Sequence, residues 1–552
     1  MMQYDVIVIG AGLAGLVTTT ELAAKGKKVL LLDQEGPQSL GGQAWWSFGG
    51  LFLVDSPEQR RMGIKDSHEL AWQDWLGTAG YDRLETEDKY GFKWAKRYVH
   101  FAKEEKRSWL HEKGVRFFPV VGWAERGGYL AEGHGNSVPR FHITWGTGPG
   151  LVQPFVSLLH KQMDENLVTY KPRHQVDQLI EREHKITTVQ GSVLENDHAE
   201  RGRETTRKTI GEFSYEAAAI VIASGGIGAN FEAIRKNWPQ SLGNAPKNMI
   251  SGVPKHVDGR MLSITEQVGG EIVNRDRMWH YTEGIRNWAP IWENHGIRIL
   301  PGPSSLWLDA EGNRFKAPNF PGFDTLGTLK AIMDTGYDYS WFILTKDIIE
   351  KEFALSGSEQ NPDLTGKSIA KVLQRILPGP PTPVQNFIDY GEDFIVADSI
   401  ENLVISMNKL IGHKKLSIQK VRAQVEARDR ALMNNFTKDL QIVAMHGARH
   451  YIGDKLIRTA KPHRLLDQKH GPLIAVKLNI LSRKTLGGLQ TDIEGKVLQK
   501  NGVPFDNVYA AGEVAGFGGG GLHGYRSLEG TFLGGCLFTG KTVAESIAKN
   551  DH

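Results

Sequence analysis

Three closely spaced glycines, Gly10, Gly12 and Gly15, stand between a short apolar run and a stretch at 16–24 that favours a helix. The apolar run predicts a buried parallel strand, and the glycines predict a turn whose backbone N–H groups approach a pyrophosphate at the N-terminus of the helix. Asp33 ends a second apolar run, where a carboxylate can bond a ribose hydroxyl. This spacing predicts a bound dinucleotide, but it does not choose between NAD and FAD.

The composition excludes several classes of protein. The chain has 552 residues, of which 40% are hydrophobic and 23% charged, and a formal net charge of only +3. These values predict a globular protein with two or more packed cores and no nucleic-acid partner. One cysteine, Cys536, excludes disulfides, thiolate-held iron–sulfur clusters and a c-type haem within the chain. We therefore expect a separate electron acceptor.

The chain also lacks the signals of a membrane or metalloprotein. No uninterrupted apolar stretch is long enough to span a bilayer, and the first predicted strand leaves no room for a signal peptide. We expect no integral membrane segment and a cytoplasmic location. No group of His, Asp and Glu has the spacing of metal ligands, so no metal is predicted.

Two further strands extend the pattern along the chain. An apolar run at 217–223 leads into Ser224, Gly225 and Gly226, and another run begins at 508. We predict an α/β fold in which both ends of the chain form one dinucleotide-binding domain. Its residues are 1–255 and 465–552, and residues 256–464 form an inserted α+β cap that carries helical patterns at 346–377 and 416–432.

A cap suits this arrangement because a reactive cofactor needs a closed and dry pocket. Four separated segments then suggest a family: 10–15, 41–51, 485–492 and 509–524. Their order along the chain resembles flavoproteins of the fumarate reductase, L-aspartate oxidase and 3-ketosteroid dehydrogenase group. The resemblance implies a Rossmann-like, glutathione-reductase-like FAD-binding domain with a substrate cap, and FAD in place of NAD.

The resemblance also implies where FAD lies. The pyrophosphate contacts the three glycines, Asp33 binds the adenosine ribose and Glu513 binds the ribityl chain. Gln43 stands where the succinate dehydrogenase branch has a flavin-linked histidine, so the implied FAD is non-covalent. The predicted cofactor-binding set is Gly10, Gly12, Leu13, Ala14, Gly15, Asp33, Gln34, Gly41, Gly42, Gln43, Ser47, Gly49, Gly50, Val176, Ala223, Ser224, Gly225, Gly226, Gly512, Glu513, Ser527, Gly530 and Leu533.

The substrate is left open by departures from the family pattern. Lys484 occupies the place of a substrate histidine in fumarate-type members, and Pro301 occupies the place of an arginine. In the fumarate-type members that arginine also donates a proton. Because proline cannot donate one, a dicarboxylate reductase is disfavoured. The ketosteroid dehydrogenases carry a Tyr-Pro-Gly signature that is missing here, where Arg526 takes the tyrosine's place beside Tyr525. An arginine can bind a carbonyl or a carboxylate.

The resemblance implies hydride transfer between the flavin and a substrate carbon whose neighbouring carbon loses or gains a proton. A polarised carbonyl acidifies its neighbouring carbon, a tyrosine-like base takes that proton, and hydride leaves the next carbon for flavin N5. The candidate catalytic residues are Tyr281, Tyr525, Arg526, Lys484, His280 and His523.

The sequence therefore predicts an FAD-dependent enzyme that makes or reduces a carbon–carbon double bond beside a carbonyl, with a ketosteroid or another apolar ketone as the favoured small-molecule substrate. The alternatives are a flavoenzyme for a carboxylate substrate, as in a fumarate-like reductase or an amino-acid oxidase, and a flavin-binding subunit that does not turn over.

Overall fold

The computed structural model of the protein describes residues 4–123, 125, 135–182, 185–375 and 377–550. Apolar runs form most of its strands, because β-branched and leucine side chains pack well on a pleated surface. The strands are β1 (Tyr4–Ile9), β2 (Val29–Leu32), β3 (Gly50–Phe52), β4 (Phe117–Gly122), β5 (Phe141–Thr144), β6 (Val168–Lys171), β7 (His174–Arg182), β8 (Lys185–Leu194), β9 (Thr209–Ile222), β10 (Ile250–Ser251), β11 (Ile272–Val273), β12 (Met278–Arg286), β13 (Gly296–Leu300), β14 (Leu306–Leu308), β15 (Tyr339–Thr345), β16 (Ala354–Leu355), β17 (Phe394–Ala397), β18 (Leu473–Thr485), β19 (Gly488–Leu489), β20 (Lys496–Leu498) and β21 (Pro504–Ala510).

Helices occupy both ends and the middle of the chain. The α-helices are α1 (Leu13–Ala23), α2 (Pro57–Arg61), α3 (His68–Ala79), α4 (Lys89–Glu104), α5 (Lys106–Glu112), α6 (Thr147–Asp164), α7 (Phe231–Lys236), α8 (Arg260–Gln267), α9 (Thr325–Met333), α10 (Lys346–Glu352), α11 (Pro362–Thr365), α12 (Ile369–Gln374), α13 (Thr382–Tyr390), α14 (Ile400–Ile411), α15 (Ile418–Leu432), α16 (Leu440–Ala448), α17 (Ile452–Ile457) and α18 (Thr531–Lys549). Short 3₁₀ helices lie at Pro37–Ser39, Gly42–Trp46, Gln240–Leu242, Gln468–His470 and Gly512–Val514.

The first sheet joins the two ends of the chain. Its order is β20-β21-β9-β1-β2-β6, and the pairs β21/β9, β9/β1, β1/β2 and β2/β6 are parallel. The register aligns the carboxyl ends of four strands, since Ile9 lies beside Leu32 and Ile222, and Ala510 lies beside Ile222. The sheet therefore brings the four segments that follow these strands to one edge.

The second sheet is built around β18. Its order is β14-β15-β18-β12-β13-β16, and β10 and β17 also pair with β18. The expected boundary at residue 465 assigns β18 to the cofactor domain, and in the structure this strand pairs with β12, β15 and β17 from the predicted cap and with β10 from outside it. The reason is its length of 13 residues, which lets one strand bond β12 at one end and β15 at the other. The division into domains stays a prediction.

The helical patterns at 346–377 form three short helices, α10, α11 and α12, and not one continuous helix. Helix α10 ends at Glu352, and the chain then forms the short strand β16, which pairs with β13. Pro362 begins a separate short helix. Cross-strand pairing thus overrides the helical periodicity of the sequence. The predicted helix at 416–432 is confirmed by α15.

Two helices begin at the edge where the parallel strands end. Helix α1 starts after Gly12 and α18 starts after Gly530, and neither has a side-chain cap. They pack closely, because a Cβ on Gly540 of α18 would lie 2.8 Å from the carbonyl oxygen of Ala14 in α1. Both N-termini therefore offer unpaired backbone N–H groups to the same region. Within the described ranges, no helix is both long and apolar enough to cross a membrane.

Candidate active site

A deep cavity opens at the carboxyl ends of the parallel strands. Gly10, Asp33, Ala223 and Ala511, which follow β1, β2, β9 and β21, all line it. Its walls extend from the glycine turn before α1 to Tyr281 and Arg298 in the second sheet and to the start of α18. One continuous cavity therefore joins the predicted dinucleotide turn to residues of the second sheet.

Most of the predicted cofactor-binding set lines this cavity. The members that do so are Gly10, Gly12, Leu13, Ala14, Asp33, Gln34, Gly41, Gly42, Gln43, Ser47, Gly49, Gly50, Val176, Ala223, Ser224, Gly225, Glu513, Gly530 and Leu533. Four others do not line it: Gly15, Gly226, Gly512 and Ser527. Gly15 shows why, since a Cβ there would come within 1.9 Å of the carbonyl oxygen of Gly10. It permits close packing of the turn and does not face the cavity.

The residues of the glycine turn fit a dinucleotide. A Cβ added to Gly12 meets no described atom within 4 Å, so this glycine borders open space. Helix α1 begins at this residue without a side-chain cap, which leaves N–H groups for a phosphate. Asp33 accepts backbone N–H groups of Ala11 at 2.6 Å and Glu35 at 2.7 Å and keeps further lone pairs for a hydroxyl.

Lys484, predicted as catalytic, lies among the predicted cofactor-binding residues. Its Nζ donates to Oε1 of Gln43 at 2.6 Å and lies 3.7 Å from Oε2 of Glu513. Gln43 in turn donates from Nε2 to Glu513 at 2.8 Å. Burial lowers the pKa of Lys484, against the opposing effect of Glu513. The three side chains form one hydrogen-bonded group in the wall of the cavity.

A second cluster of ionisable side chains surrounds Tyr281, which also lines the cavity. The guanidinium of Arg298 lies over its ring, 3.8 Å from the centroid. Arg298 donates to Glu529 at 2.7 Å, and Trp279 donates to the same carboxylate at 3.4 Å. No described residue bonds the Tyr281 hydroxyl, although the side chain is only 4% exposed. This hydroxyl is therefore available to a ligand.

Two further carboxyls extend this cluster away from the cavity. Glu125 lies 3.4 Å from Arg298, and burial raises its pKa to about 8. Burial likewise raises the pKa of Glu283. Of the three carboxyl groups, Glu529 makes the shortest described contact with Arg298, at 2.7 Å.

Sequence reasoning missed Arg298, Arg483 and Glu529, which all line the cavity. Counting from the family pattern reached Pro301, whereas the guanidinium comes from Arg298 in the strand β13 just before it. Glu529 gave a usable signal, because a charged side chain stands there in a segment rich in glycine. Arg298 also gave a signal, because an arginine inside an apolar strand is rarely buried unless it is paired.

The structure places the other predicted catalytic residues elsewhere. His280, Tyr525 and Arg526 line a different cavity, on the far side of β12. His523 lines neither cavity: it is fully buried, and its Nε2 lies 2.8 Å from Oγ1 of Thr531, the first residue of α18. The catalytic roles of these four residues stay predictions. Within the described part of the chain, no group of three His, Cys, Asp or Glu could hold a metal ion.

Known proteins are similar to this chain in sequence and in fold. A family model described as an FAD binding domain matches residues 5–533. A KsdD-like steroid dehydrogenase of Mycobacterium tuberculosis (strain CDC 1551 / Oshkosh) is 59% identical over 550 residues, which cover 100% of this chain and 96% of the relative.

Solved structures are similar to this chain in fold. The 3-ketosteroid delta1-dehydrogenase of Sterolibacterium denitrificans, in complex with 1,4-androstadiene-3,17-dione, matches with a TM-score of 0.67 at 15% identity, covering 99% of this chain and 100% of that one. The open conformation of a flavocytochrome c3 fumarate reductase matches with a TM-score of 0.63 at 19% identity, covering 99% and 78%. The predicted α/β fold and the resemblance are confirmed: the chain belongs to the family of FAD-binding oxidoreductases that includes the KsdD-like steroid dehydrogenases.

Proposed function

We propose that this chain dehydrogenates a carbon–carbon bond beside the ketone of a steroid-like substrate, with FAD held without a covalent link. The observation that carries the proposal is the Tyr281 hydroxyl, which faces the cofactor cavity with no hydrogen-bond partner among the described residues. Phe48, Phe141 and Phe532 line the same cavity and suit a flat apolar molecule. The names of the relatives, steroid dehydrogenases, support the same substrate class.

Tyr281 acts as the donor to the ketone. Burial raises the pKa of its phenol above the ordinary value, so the group carries its proton at neutral pH. A hydrogen bond from Oη to the carbonyl oxygen acidifies the neighbouring carbon. The Arg298 guanidinium over the ring favours the negative charge that develops on that oxygen.

Glu529 is the proposed base for the proton of that carbon. Its carboxylate lines the cavity next to Tyr281 and is held by Arg298 and Trp279. The chemistry that bound FAD supplies is acceptance of the hydride from the adjacent carbon. Lys484 places a cation beside the predicted cofactor site, and α18 directs its positive N-terminal end toward the cavity.

A non-covalent link is supported by the groups near the predicted ring site. Both ends of the Gln43 amide are hydrogen-bonded: its oxygen accepts from Lys484, and its nitrogen donates to Glu513. The thiol of Cys536 also lines the cavity, but burial raises its pKa to about 12, so it is not a thiolate at neutral pH. Electrons leave through a separate acceptor, and a location in the cytoplasm stays a prediction.

The test is anaerobic mixing of the FAD-loaded protein with a panel of ketosteroids and dicarboxylates, followed by the bleaching of the visible flavin band. We expect bleaching by a ketosteroid. Tyr281→Phe should lower the rate of bleaching by about 10²–10³, and Glu529→Gln by about 10²–10⁴, while both variants keep their FAD. Tyr525→Phe is the matched control, because that phenol lies outside the cofactor cavity.

A carboxylate substrate is the second candidate, and Arg483 favours it. This arginine lines the cavity, and no described carboxylate lies within salt-bridge distance of it. Bleaching by a dicarboxylate alone, with sensitivity to Arg483→Gln, would replace the ketosteroid proposal. Bleaching by neither class would leave a flavin-binding subunit without turnover.

A further inference from the structure

The surface formed by α16, α17 and the chain beside them exposes many large apolar side chains. Of the twenty exposed large apolar side chains in the described structure, six lie within residues 433–461, which we call the basic apolar face. They are Met433, Phe436, Leu440, Val443, Ile452 and Leu456. Single exposed apolar residues are ordinary on a protein surface, whereas a concentration of them is typical of a surface that binds a partner.

The two helices of this face present apolar side chains to the outside. In α16, Leu440 and Val443 are exposed and lie three positions apart, whereas Ile442 is buried. In α17, Ile452 and Leu456 are exposed and lie four positions apart. Residues three or four positions apart share a face of a helix, so each helix has an apolar face that no described residue covers.

Phe436 has the largest exposed fraction among these residues. It lies between α15 and α16 and is 93% exposed. Transfer of an aromatic side chain from water to an apolar environment is favourable, and the folded chain does not supply that environment here. A partner outside the chain would bury this ring.

The exposed charge of the basic apolar face is positive. Residues 433–461 include five Lys or Arg residues and two acids, Asp439 and Asp454. Asp454 is buried, and Asp439 is paired with Arg314 at 2.6 Å. No described carboxylate lies within salt-bridge distance of four of the five basic residues, which are Lys438, Arg449, Lys455 and Lys461.

Exposed apolar groups and unpaired positive charge together fit an anionic lipid bilayer. Helices that lie in the plane of a bilayer surface bury an apolar face near the acyl chains and keep Lys and Arg at the level of the headgroups. Each Lys or Arg near an anionic leaflet strengthens this binding. A second copy of this chain fits less well, because pairing two such faces would oppose like charges.

The face also lies close to the residues proposed to bind the ketone. Tyr451, just before α17, donates from its hydroxyl to the carbonyl oxygen of Val121 at 2.5 Å. Glu125 follows Val121 by four residues. It lies 3.4 Å from Arg298, whose guanidinium covers the ring of Tyr281. Because four residues of extended chain span at most about 14 Å, only a short connection separates α17 from this end of the cofactor cavity.

We propose that the chain binds the surface of an anionic lipid bilayer through the basic apolar face. Phe436 and Leu440 enter the boundary of the acyl region, and Lys438 and Lys455 contact the headgroups. An apolar steroid dissolves in the same bilayer, so the bound enzyme meets its substrate where that substrate is concentrated. This last advantage rests on the proposed function, whereas the binding itself does not.

The test is cosedimentation of the FAD-loaded protein with lipid vesicles, without substrate. We expect binding to vesicles of phosphatidylglycerol and phosphatidylcholine, and at least about tenfold weaker binding to vesicles of phosphatidylcholine alone. Raising sodium chloride from about 0.1 M to about 1 M should weaken the binding, because the shorter Debye length screens the charges.

Two variants test the two properties of the face. Phe436→Ser should weaken binding at least about fivefold, because it removes an apolar side chain that the folded chain does not bury. Lys455→Glu should weaken it about tenfold or more, because it reverses a charge. Val503→Ser and Lys500→Glu are the matched controls and should bind as the wild type does, since they make similar changes at exposed positions between β20 and β21.

Binding to neither kind of vesicle, equal binding to both, or equal losses in the variants and their controls would overturn the proposal. A dimer in sedimentation equilibrium that Phe436→Ser dissociates would assign the face to a second copy of the chain instead. The outcome is separate from that of the flavin test. Vesicle binding without bleaching by any ketosteroid would support this proposal and overturn the proposed function, and bleaching without vesicle binding would do the reverse.

Discussion

At the scale of single residues, the candidate groups of the cofactor cavity are held by other ionisable side chains. Tyr281 lies against Arg298, which is paired with Glu529, and Lys484 is bonded to Gln43 beside Glu513. An isolated charge in a buried site costs several kcal/mol, whereas a paired and hydrogen-bonded one is tolerated. The pairs therefore keep charges in the cavity at an acceptable cost and orient them for chemistry.

Glu359 gives a prediction for the dependence of stability on pH. Burial raises its pKa to about 7 from 4.5, and the opposing effect of Arg483 is smaller. Between these two pH values the folded protein holds a proton that the unfolded chain has released, so the free energy of unfolding falls as pH rises from 4.5 to 7 and levels off above 7. The contribution is at most about 3 kcal/mol.

Urea denaturation of the wild type and Glu359→Gln at several pH values checks this expectation. The variant cannot titrate at this position, so its free energy of unfolding should lack the decrease that Glu359 causes in the wild type. Its stability relative to the wild type should therefore rise from acid to neutral pH. Two parallel stability curves would show that Glu359 ionises normally in the folded protein.

At the scale of elements, the strands decide which residues can act together. Strand β12 places Tyr281 in the cofactor cavity and His280 in the cavity on its far side, although the two are neighbours in sequence. Strand β18 carries Lys484 into the wall of the cofactor cavity from the centre of the second sheet. Helices α1 and α18 contribute their N-termini to the same cavity.

The glycine turn before α1 gives a prediction that separates folding from cofactor binding. Gly12 has an ordinary φ of −70° and open space at its Cβ, so Gly12→Ala should change the stability of the cofactor-free protein by less than about 0.5 kcal/mol. Its methyl group would enter the space proposed for the pyrophosphate, so the Kd for FAD should rise at least about tenfold.

Gly15→Ala is the contrasting variant, because its Cβ would clash with the Gly10 carbonyl oxygen. Overpacking of this kind costs about 1–3 kcal/mol, and we expect a destabilised protein even without FAD. Thermal unfolding of the cofactor-free proteins and fluorescence titration with FAD measure both effects. Normal FAD affinity in Gly12→Ala would place the pyrophosphate elsewhere.

At the scale of the whole molecule, the two ends of the chain are joined through one sheet. Strand β9 lies between β1 from the N-terminal end and β21 from the C-terminal end. The proposed FAD site includes residues after all three strands, so FAD would bind the folded state and have no comparable site in the unfolded chain. A ligand with this property stabilises the protein by about 2.7 kcal/mol when its free concentration is a hundred times Kd.

Denaturation of the holoprotein tests this link and the proposed mode of attachment. Acid precipitation should release all flavin colour into the supernatant, because non-covalent FAD leaves when its site unfolds. The melting temperature should rise with added FAD, since the ligand favours the folded state. Colour that stays in the protein pellet after precipitation would mean a covalent link.

Local patterns made much of the fold predictable. The glycine turn, Asp33 and the core strands follow from neighbours in sequence, and the structure has them where expected. The helical patterns at 346–377 are interrupted because β16 pairs with β13, a partner distant in sequence. His280 and Tyr281 are both candidate catalytic residues from the sequence, but adjacent side chains of a strand point to opposite faces, and these two line different cavities.

The sequence by itself determined the strand, turn and helix of a dinucleotide site, because a short run of residues specifies them. The order of four separated segments then determined the family and, with it, FAD. Only the tertiary structure decided which charged groups meet at the substrate end. Arg298 bonds Glu529 across 231 positions, and Lys484 bonds Gln43 across 441. Such contacts depend on how two sheets pack, and residue types alone do not encode which side chains will face one cavity.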